Sequence, residues 1–294
     1  MLPDPRLLQA LGAADGARQL RELDRRGALT EMLPELEAGR GFVQPERHYY
    51  DVLDHNLAAV AAFDTLAADG PDREELRAAT NWIDWEASLD REIDGHSLVS
   101  LTRLACLVHD IAKPATAIVG EDRLRFPRHG PRGAEILRER LPAAGFSDGA
   151  TDFVARMVRY HLRPGELIRS GAATDRAVRK FVADVDGHVL PLMLVNIADG
   201  MATRGPGYTR ENFRRHCLFL NYVMERAWNV ADVGTAPLVT GDDLIAALNL
   251  SGGRLLGAVL TSVRRAQAEG SVHTKDEALA LARTVLVSLE AAEP

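Results

Sequence analysis

Cysteine is nearly missing from this chain. Cys106 and Cys217 are the only two in 294 residues, and each sits inside an apolar helical pattern. That excludes a disulfide framework and a thiolate zinc site, and both are expected as buried free thiols in a reducing compartment. Aromatic residues are also sparse, at 5%, which disfavours a stacking platform for single-stranded nucleic acid. Positive charge is in deficit, with 35 Lys+Arg against 42 Asp+Glu and a formal net charge of -7. A broad, non-specific nucleic-acid coat is therefore not expected, although a local basic pocket remains open. No stretch approaches about 18 consecutive apolar residues, so no membrane partner is expected. The first twenty residues, with Asp4 among them, lack the cationic, apolar and small-residue order of a signal peptide, and the expected compartment is cytoplasmic. Alternating strand-like runs are scarce, and there is neither a tandem repeat nor a low-complexity tract.

What remains is helix. The chain is 46% hydrophobic, and its apolar residues recur at helical spacing almost throughout, so the expected fold class is all-α. Residues 5–38 read as two or three short helices punctuated by Gly12, Gly16 and Gly27. A long helix is expected from about Arg47 to Ala68, with Pro45 at its first turn. A charged connector follows over Asp72–Asp94, then an apolar helix over Ser97–Ile111 that Pro114 blocks. Further helices are expected at about Gly130–Arg140, Asp148–Leu162, Thr174–Ala183, Val189–Thr203 and Glu211–Trp228. Asn229–Pro237 reads as a linker, and residues 238–289 as a small helical tail with Gly252-Gly253 between helices. The expected organisation is an N-terminal helical segment over 1–45, a main domain over 46–229 and a helical tail over 236–294.

The strongest local signal is LVHDIAKP, Leu107–Pro114. Leu104, Leu107, Val108 and Ile111 trace an apolar face, which places His109-Asp110 near the end of a mostly buried helix. An adjacent imidazole and carboxylate there are costly unless hydrogen-bonded, paired or bound to a metal. Alone, the dipeptide is equally an ordinary helix end. Other positions change the reading. His55 shares a face with Val52, Ala59 and Ala62, and His161 follows Val154, Met157 and Val158. Asp199 continues the face of Leu192 and Val195, and His129 begins the helix that carries Ile136 and Leu137. A lone buried His is more often a satisfied core residue, but five inward segments are most economically read as one site. Imidazoles and carboxylates without thiolates suit Mn, Fe, Ni, Co, Zn or Mg. His55, His109, Asp110 and Asp199 would leave one ion an open position. His129 and His161 would supply a second ion, with Asp110 bridging. Such ions lower the pKa of bound water towards about 7 and can clamp the oxygens of a phosphoryl transfer.

Cations suit a phosphate ester. Lys113, one turn beyond Asp110, is close enough to reach a phosphate oxygen, or else is a solvated lysine complementing a helix dipole. Arg128, Arg132, Arg204 and Arg210 flank the His129 and Asp199 segments and can fork onto phosphate oxygens. His48 and Asp51 are expected on the face of His55, either as groups orienting that ligand or as a polar helix start.

HYYDVLDH (His48–His55), LVHDIAKP, FPRHGPRGAEIL (Phe126–Leu137), VRYH (Val158–His161) and NIAD (Asn196–Asp199) together resemble the HD-domain metal-dependent phosphohydrolase superfamily, in the order H…HD…H…H…D. Ala112 stands where the family often has Gly, which a helix end tolerates. A closer resemblance is to the HD-containing C-terminal half of bacterial tRNA nucleotidyltransferases, the CCA-adding enzymes. Leu29–Leu57 resembles the join from a helical neck into that domain, and Pro237–Ala282 resembles its C-terminal tail. The likeness covers roughly residues 20 to 285 and implies an HD-domain helical bundle with a neck-like segment and a tail. It implies hydrolysis of a small phosphate mono- or diester, with nucleotides or RNA ends as the substrate class and Asp110 and Lys113 as catalytic groups. The 47 residues before His48 carry no Gly-rich strand-loop with a carboxylate pair, so CCA addition by this chain alone is not expected. The alternatives are a tRNA- or RNA-binding module, or a subunit partnering a separate nucleotidyltransferase head. The apolar tail is a candidate homodimer surface.

Overall fold

The computed structural model describes every residue except 1–2, 46–47, 81–84, 121–123, 170–173, 232–237, 249, 251–253, 269–270, 273 and 291–294. The chain divides into two compact units, Met1–Met224 and Glu225–Pro294. Among the described residues the regular structure is helical, with three short 3-10 segments, apart from two hairpins of two-residue strands. None of these helices is by itself long and apolar enough to cross a membrane.

Within the first unit, α1 (Pro5–Gly12), α2 (Gly16–Arg25) and α3 (Ala28–Met32) precede the core helix α4 (Val52–Ala67). α5 (Pro71–Ala79) and α6 (Trp85–Leu89) lead to the hairpin β1 (Glu92–Ile93) and β2 (His96–Ser97). Then come α7 (Leu98–Val108), the hairpin β3 (Ile118–Val119) and β4 (Leu124–Arg125), α8 (His129–Ala143) and α9 (Asp148–Tyr160). α10 (Arg163–Arg169), α11 (Asp175–Asp184), α12 (Val189–Arg204) and α13 (Arg210–Ala231) follow.

Three of these helices pack on one another at the centre: α4, α7 and α12. Each is apolar nearly all round, as a helix enclosed by others must be. Phe63 on α4 and Leu104 on α7 are fully buried, and truncating such a side chain costs about 3–5 kcal/mol for the Phe and about 2–5 for the Leu. α8 and α9 form an antiparallel pair, of which α9 packs on α7. Glycine sets their spacing: a Cβ on Gly130 would lie 2.9 Å from the Arg159 carbonyl oxygen, and one on Gly133 would lie 2.9 Å from Val158 Cγ1. α2 packs on α4. There the Asp64 carboxylate accepts from the Ala17 amide at 2.8 Å and from Arg103 Nε at 2.7 Å. Arg103, 4% exposed, also donates to the Leu11 carbonyl, so this buried charge is satisfied on both sides.

The helix termini differ from expectation at functionally important places. α4 starts at Val52 rather than Arg47, because Asp51 caps it by accepting from the Asp54 amide at 2.7 Å. α7 ends at Val108 rather than Ile111. Residues 109–113 form a tight turn, with Lys113 N–H donating to the Asp110 carbonyl at 2.9 Å, and a 3-10 turn begins at Pro114. α8 begins at His129, after Arg128 in the left-handed region at φ 56°. The Asn229–Pro237 stretch is helical as far as Ala231, and 232–237 lie outside the described residues.

The second unit contains α14 (Gly241–Leu248), α15 (Arg254–Ala268) and α16 (Lys275–Glu290) around Val239, Leu244, Val259, Val263, Ala278 and Ala282. Gly252-Gly253 lie outside the described residues.

Candidate metal centre

Each donor is placed by a helix end or a core helix. His55 lies in the first turn of α4, where its amide donates to the Asp51 carbonyl at 2.9 Å. His109 occupies the C-cap of α7, His161 the C-cap of α9 and His129 the first residue of α8. These last three share one device. The Nδ1 of His109 lies 2.8 Å from the Cys106 carbonyl, that of His129 2.8 Å from Phe126, and that of His161 2.7 Å from Val158. In each case a carbonyl three residues upstream requires an N–H, so Nδ1 carries the proton and Nε2 presents a lone pair inward. Asp199, in α12, accepts from Thr203 Oγ1 one turn later, at 3.2 Å.

These inward atoms converge in two groups that share Asp110: His55, His109, Asp110 and Asp199, and Asp110, His129 and His161. In the first, His55 Nε2 and His109 Nε2 are 3.0 Å apart, and Asp110 Oδ2 is 3.2 Å from each. Asp199 Oδ1 is 3.2 Å from His55 Nε2 and 3.6 Å from His109 Nε2. In the second, His129 Nε2 and His161 Nε2 are 3.2 Å apart, with Asp110 Oδ1 at 3.2 and 3.8 Å respectively.

A divalent cation fits both groups. Two donors about 2.1 Å from one ion lie about 3.0 Å apart at a right angle and about 3.4 Å at the tetrahedral angle. The observed spacings bracket those values. The lone pairs of His129 and His161 face each other and cannot form a hydrogen bond while both rings are neutral, so the gap calls for a cation. Both Asp110 oxygens, although close to imidazole nitrogens, are buried without a hydrogen bond of ordinary geometry. Lys113 Nζ meets Oδ2 at 2.5 Å, but Oδ1 faces the Nε2 atoms of His129 and His161, and an oxygen so placed is costly unless a positive charge meets it as well.

The electrostatics agree. Burial opposes ionisation of Asp110, yet Lys113 and His109 hold its carboxyl well below the usual range. Burial likewise opposes a charge on His109, but Asp110 and Asp199 outweigh it and raise its pKa to about 10. His161 goes the other way: burial, with His129 and His109 beside it, lowers it to about 3. His161 is thus held neutral where His109 attracts a proton.

Lys113 is not the solvated lysine that a helix end permits. It is 5% exposed, its Nζ is 2.5 Å from Asp110 Oδ2 and 2.6 Å from Gln44 Oε1, and it stands over the Phe126 ring. His48 lies before α4 rather than on its face, with its ring centroid 5.9 Å from that of His55. Asp51 acts on the backbone, capping α4 and accepting from the Gly41 amide at 2.7 Å.

Asp110, His129, His161 and Asp199 open onto a cavity of about 1410 Å³, walled also by His48, Lys113 and Phe126. Arg204 is on this wall, donating to Asn212 at 3.2 Å. Arg132 does not join it: its side chain is 54% exposed and pairs with Glu135 at 2.9 Å. Arg210 is held by Asp72 and Glu75. Arg125 and Arg215 line the cavity instead, and sequence reasoning missed both, along with Asn196, Tyr208 and His216. The signal for His216 was its place two turns into α13, on the side facing α12, which only the packing of the two helices makes visible.

Residues 87–202 match the HD domain family. That stretch holds five of the six converging donors, and His55 lies upstream of it. The chain is 31% identical over 288 residues to the CC-adding tRNA nucleotidyltransferase of Thermus thermophilus, covering 94% of this chain and 54% of that one. It is 29% identical over 277 residues to the A-adding tRNA nucleotidyltransferase of Deinococcus radiodurans, covering 92% and 55%. A bifunctional uridylyltransferase/uridylyl-removing enzyme of Azospirillum brasilense is 28% identical over 196 residues, which is 64% of this chain and 18% of that enzyme. The chain spans about half the length of the two tRNA nucleotidyltransferases.

Proposed function

We propose that this chain, which carries an HD domain and is a homologue of tRNA nucleotidyltransferases, is a divalent-metal-dependent phosphohydrolase acting on a nucleotide or RNA-end phosphate ester. The observation that carries the reading is the shared Asp110: one buried carboxylate offers Oδ2 to one donor group and Oδ1 to the other, at the base of an arginine-lined cavity. The uridylyl-removing activity in the name of the Azospirillum relative is consistent with hydrolysis.

His55, His109, Asp110 and Asp199 would hold one ion, and Asp110, His129 and His161 a second. A bound divalent ion supplies Lewis acidity and lowers the pKa of water there to about 7. The chain's own residues do the rest. Three backbone carbonyls keep the imidazoles in the tautomer that offers Nε2. Lys113 balances the Asp110 charge and presents a cation to a phosphate oxygen at the cavity edge. Arg204, Arg125 and Arg215 orient the anionic ester. Arg132, paired with Glu135 on the exposed side of α8, is not among the residues lining that cavity.

The test is elemental analysis of the purified chain together with a panel of phosphate mono- and diesters, including nucleoside 2′- and 3′-monophosphates. Bound first-row metal and turnover that a chelator abolishes and metal restores is the expected result. A chain that retains no metal and turns over none of the panel with any added divalent ion overturns the proposal.

A second reading is an RNA-binding body, favoured by likeness to two tRNA nucleotidyltransferases over more than nine-tenths of this chain. Phosphate contacts would weaken steeply with salt. A tRNA titration at two salt concentrations separates the readings, and salt-insensitive or absent binding removes this one.

A further inference from the structure

Beyond the metal donors, the cavity wall contains a hydrogen-bond chain whose direction is fixed along its length. Asn196 Nδ2 is 2.9 Å from the main-chain carbonyl oxygen of His161. An amide oxygen placed there would meet another oxygen, so the amide orientation is settled and Asn196 Oδ1 must accept. His216 Nε2 lies 3.0 Å from that Oδ1 and is therefore the protonated ring nitrogen. His216 Nδ1 is then a bare acceptor, and the Tyr208 hydroxyl at 3.1 Å must donate to it. Gly200, next to Asp199, lets the imidazole lie against α12: a Cβ there would come within 2.8 Å of His216 Cε1. Burial keeps the ring neutral by lowering its pKa to about 4, which preserves the polarity at neutral pH.

The consequence falls on Tyr208. Its proton is committed to His216, so towards the cavity its oxygen can only accept. Arg125, Arg204 and Arg215 on the same wall can only donate. A wall that donates at one place and accepts at another matches a ligand carrying an anion and, nearby, a hydroxyl.

We propose that Tyr208 is a specificity-determining residue that accepts a hydrogen bond from a free hydroxyl on the alcohol part of a phosphate ester, and that His216 and Asn196 are positioning residues holding it in that role. This inference rests on the phosphohydrolase reading for its ligand class. It excludes esters of simple deoxygenated alcohols as preferred ligands and favours polyol esters, of which a ribonucleoside monophosphate is the most available probe.

The experiment compares adenosine 3′-monophosphate with 2′-deoxyadenosine 3′-monophosphate, which differ by one hydroxyl. Initial rates are measured where turnover occurs, and equilibrium binding to the chain as purified is measured in either case. The expected preference for the hydroxylated ligand is about fivefold, the net scale of one hydrogen bond to a half-buried group. Tyr208→Phe should bring the ratio close to one. His216→Ala should do the same, while His216→Gln, whose amide can donate to Asn196 and accept from Tyr208, should restore part of it. A purely structural role for His216 would change both ligands alike and leave the ratio where it was. No preference in the parent chain, or a preference that survives Tyr208→Phe, overturns the inference. Selective binding without turnover would sustain it while removing the phosphohydrolase reading, and turnover without selectivity would do the reverse.

Discussion

In the metal-free chain His109 should carry a proton where an ion would otherwise sit, and that proton makes metal binding measurably dependent on pH. His109 Nδ1 donates to the Cys106 carbonyl, so an added proton goes to Nε2, between Asp110 and Asp199. Those carboxylates raise the imidazole to about 10 against the burial that would lower it. A metal needs the same lone pair and must displace the proton. At pH 7 the gap of about three units costs about 4 kcal/mol of binding free energy. The sign is definite: the proton is the competitor, so affinity at this group rises about tenfold for each pH unit between 7 and 9. The second group behaves differently, because His161, lowered to about 3 by burial, has no proton to lose at pH 7. Isothermal titration calorimetry of the chelator-stripped chain, in two buffers of different ionisation enthalpy, reads this directly. About one proton should be released per ion at the His55–His109 group, and none from His161 at the other. His129→Ala, which removes a donor from the second group only, leaves the proton-releasing event to be observed alone. An observed heat independent of buffer, with affinity flat from pH 7 to 9, would refute the reasoning.

Three further outcomes follow from the geometry. Asp110→Asn should reduce phosphoester turnover at least about 100-fold and disturb both groups, whereas His161→Ala should lower the metal content by one ion per chain, as elemental analysis reads it. Unchanged stoichiometry in both variants would mean that Asp110 bridges nothing. Gly130→Ala places a Cβ 2.9 Å from the Arg159 carbonyl oxygen and 3.1 Å from that of Val158, both backbone atoms that cannot swing aside. It should cost about 1–3 kcal/mol by urea unfolding, and an unaltered midpoint would show that α8 and α9 have slack between them. His216 titrates near 4 when folded because of burial, and near 6.5 when unfolded. The unfolded chain therefore binds more protons between those values, and stability falls as pH drops, by about 2 kcal/mol from pH 7 to pH 5 through this residue. His216→Gln should remove that share of the acid sensitivity in thermal melts, and identical slopes with and without the histidine would contradict it.

Much of the helical content is legible in the sequence alone, because the apolar residues of α4, α7, α9 and α12 repeat at the helical period. The hairpins are not: two-residue strands carry no periodicity, and only Asp94-Gly95, both at positive φ, leave a turn signature. The six donors stand out as polar residues on apolar faces. Their division into two groups with Asp110 between them is also an expectation of the sequence, but which carboxylate oxygen faces which group is not legible there. Lys113 has two readings along the chain, and its burial against Asp110 and Gln44 excludes the solvated one. Among the arginines, nearness in sequence points to Arg132, whereas packing brings Arg125 and Arg215 to the cavity.

Local order therefore determined which segments are helices, where proline and capping residues stop them, and which polar side chains are turned inward, since these depend on spacing along a single element. Distances between elements decided everything else: whether imidazoles 54 or 32 residues apart meet at about 3 Å, and which way the protons run from Tyr208 to His161. Those distances come from how helices seat on one another through residues such as Gly130, Gly133 and Gly200, and no periodicity within one helix encodes the position of another.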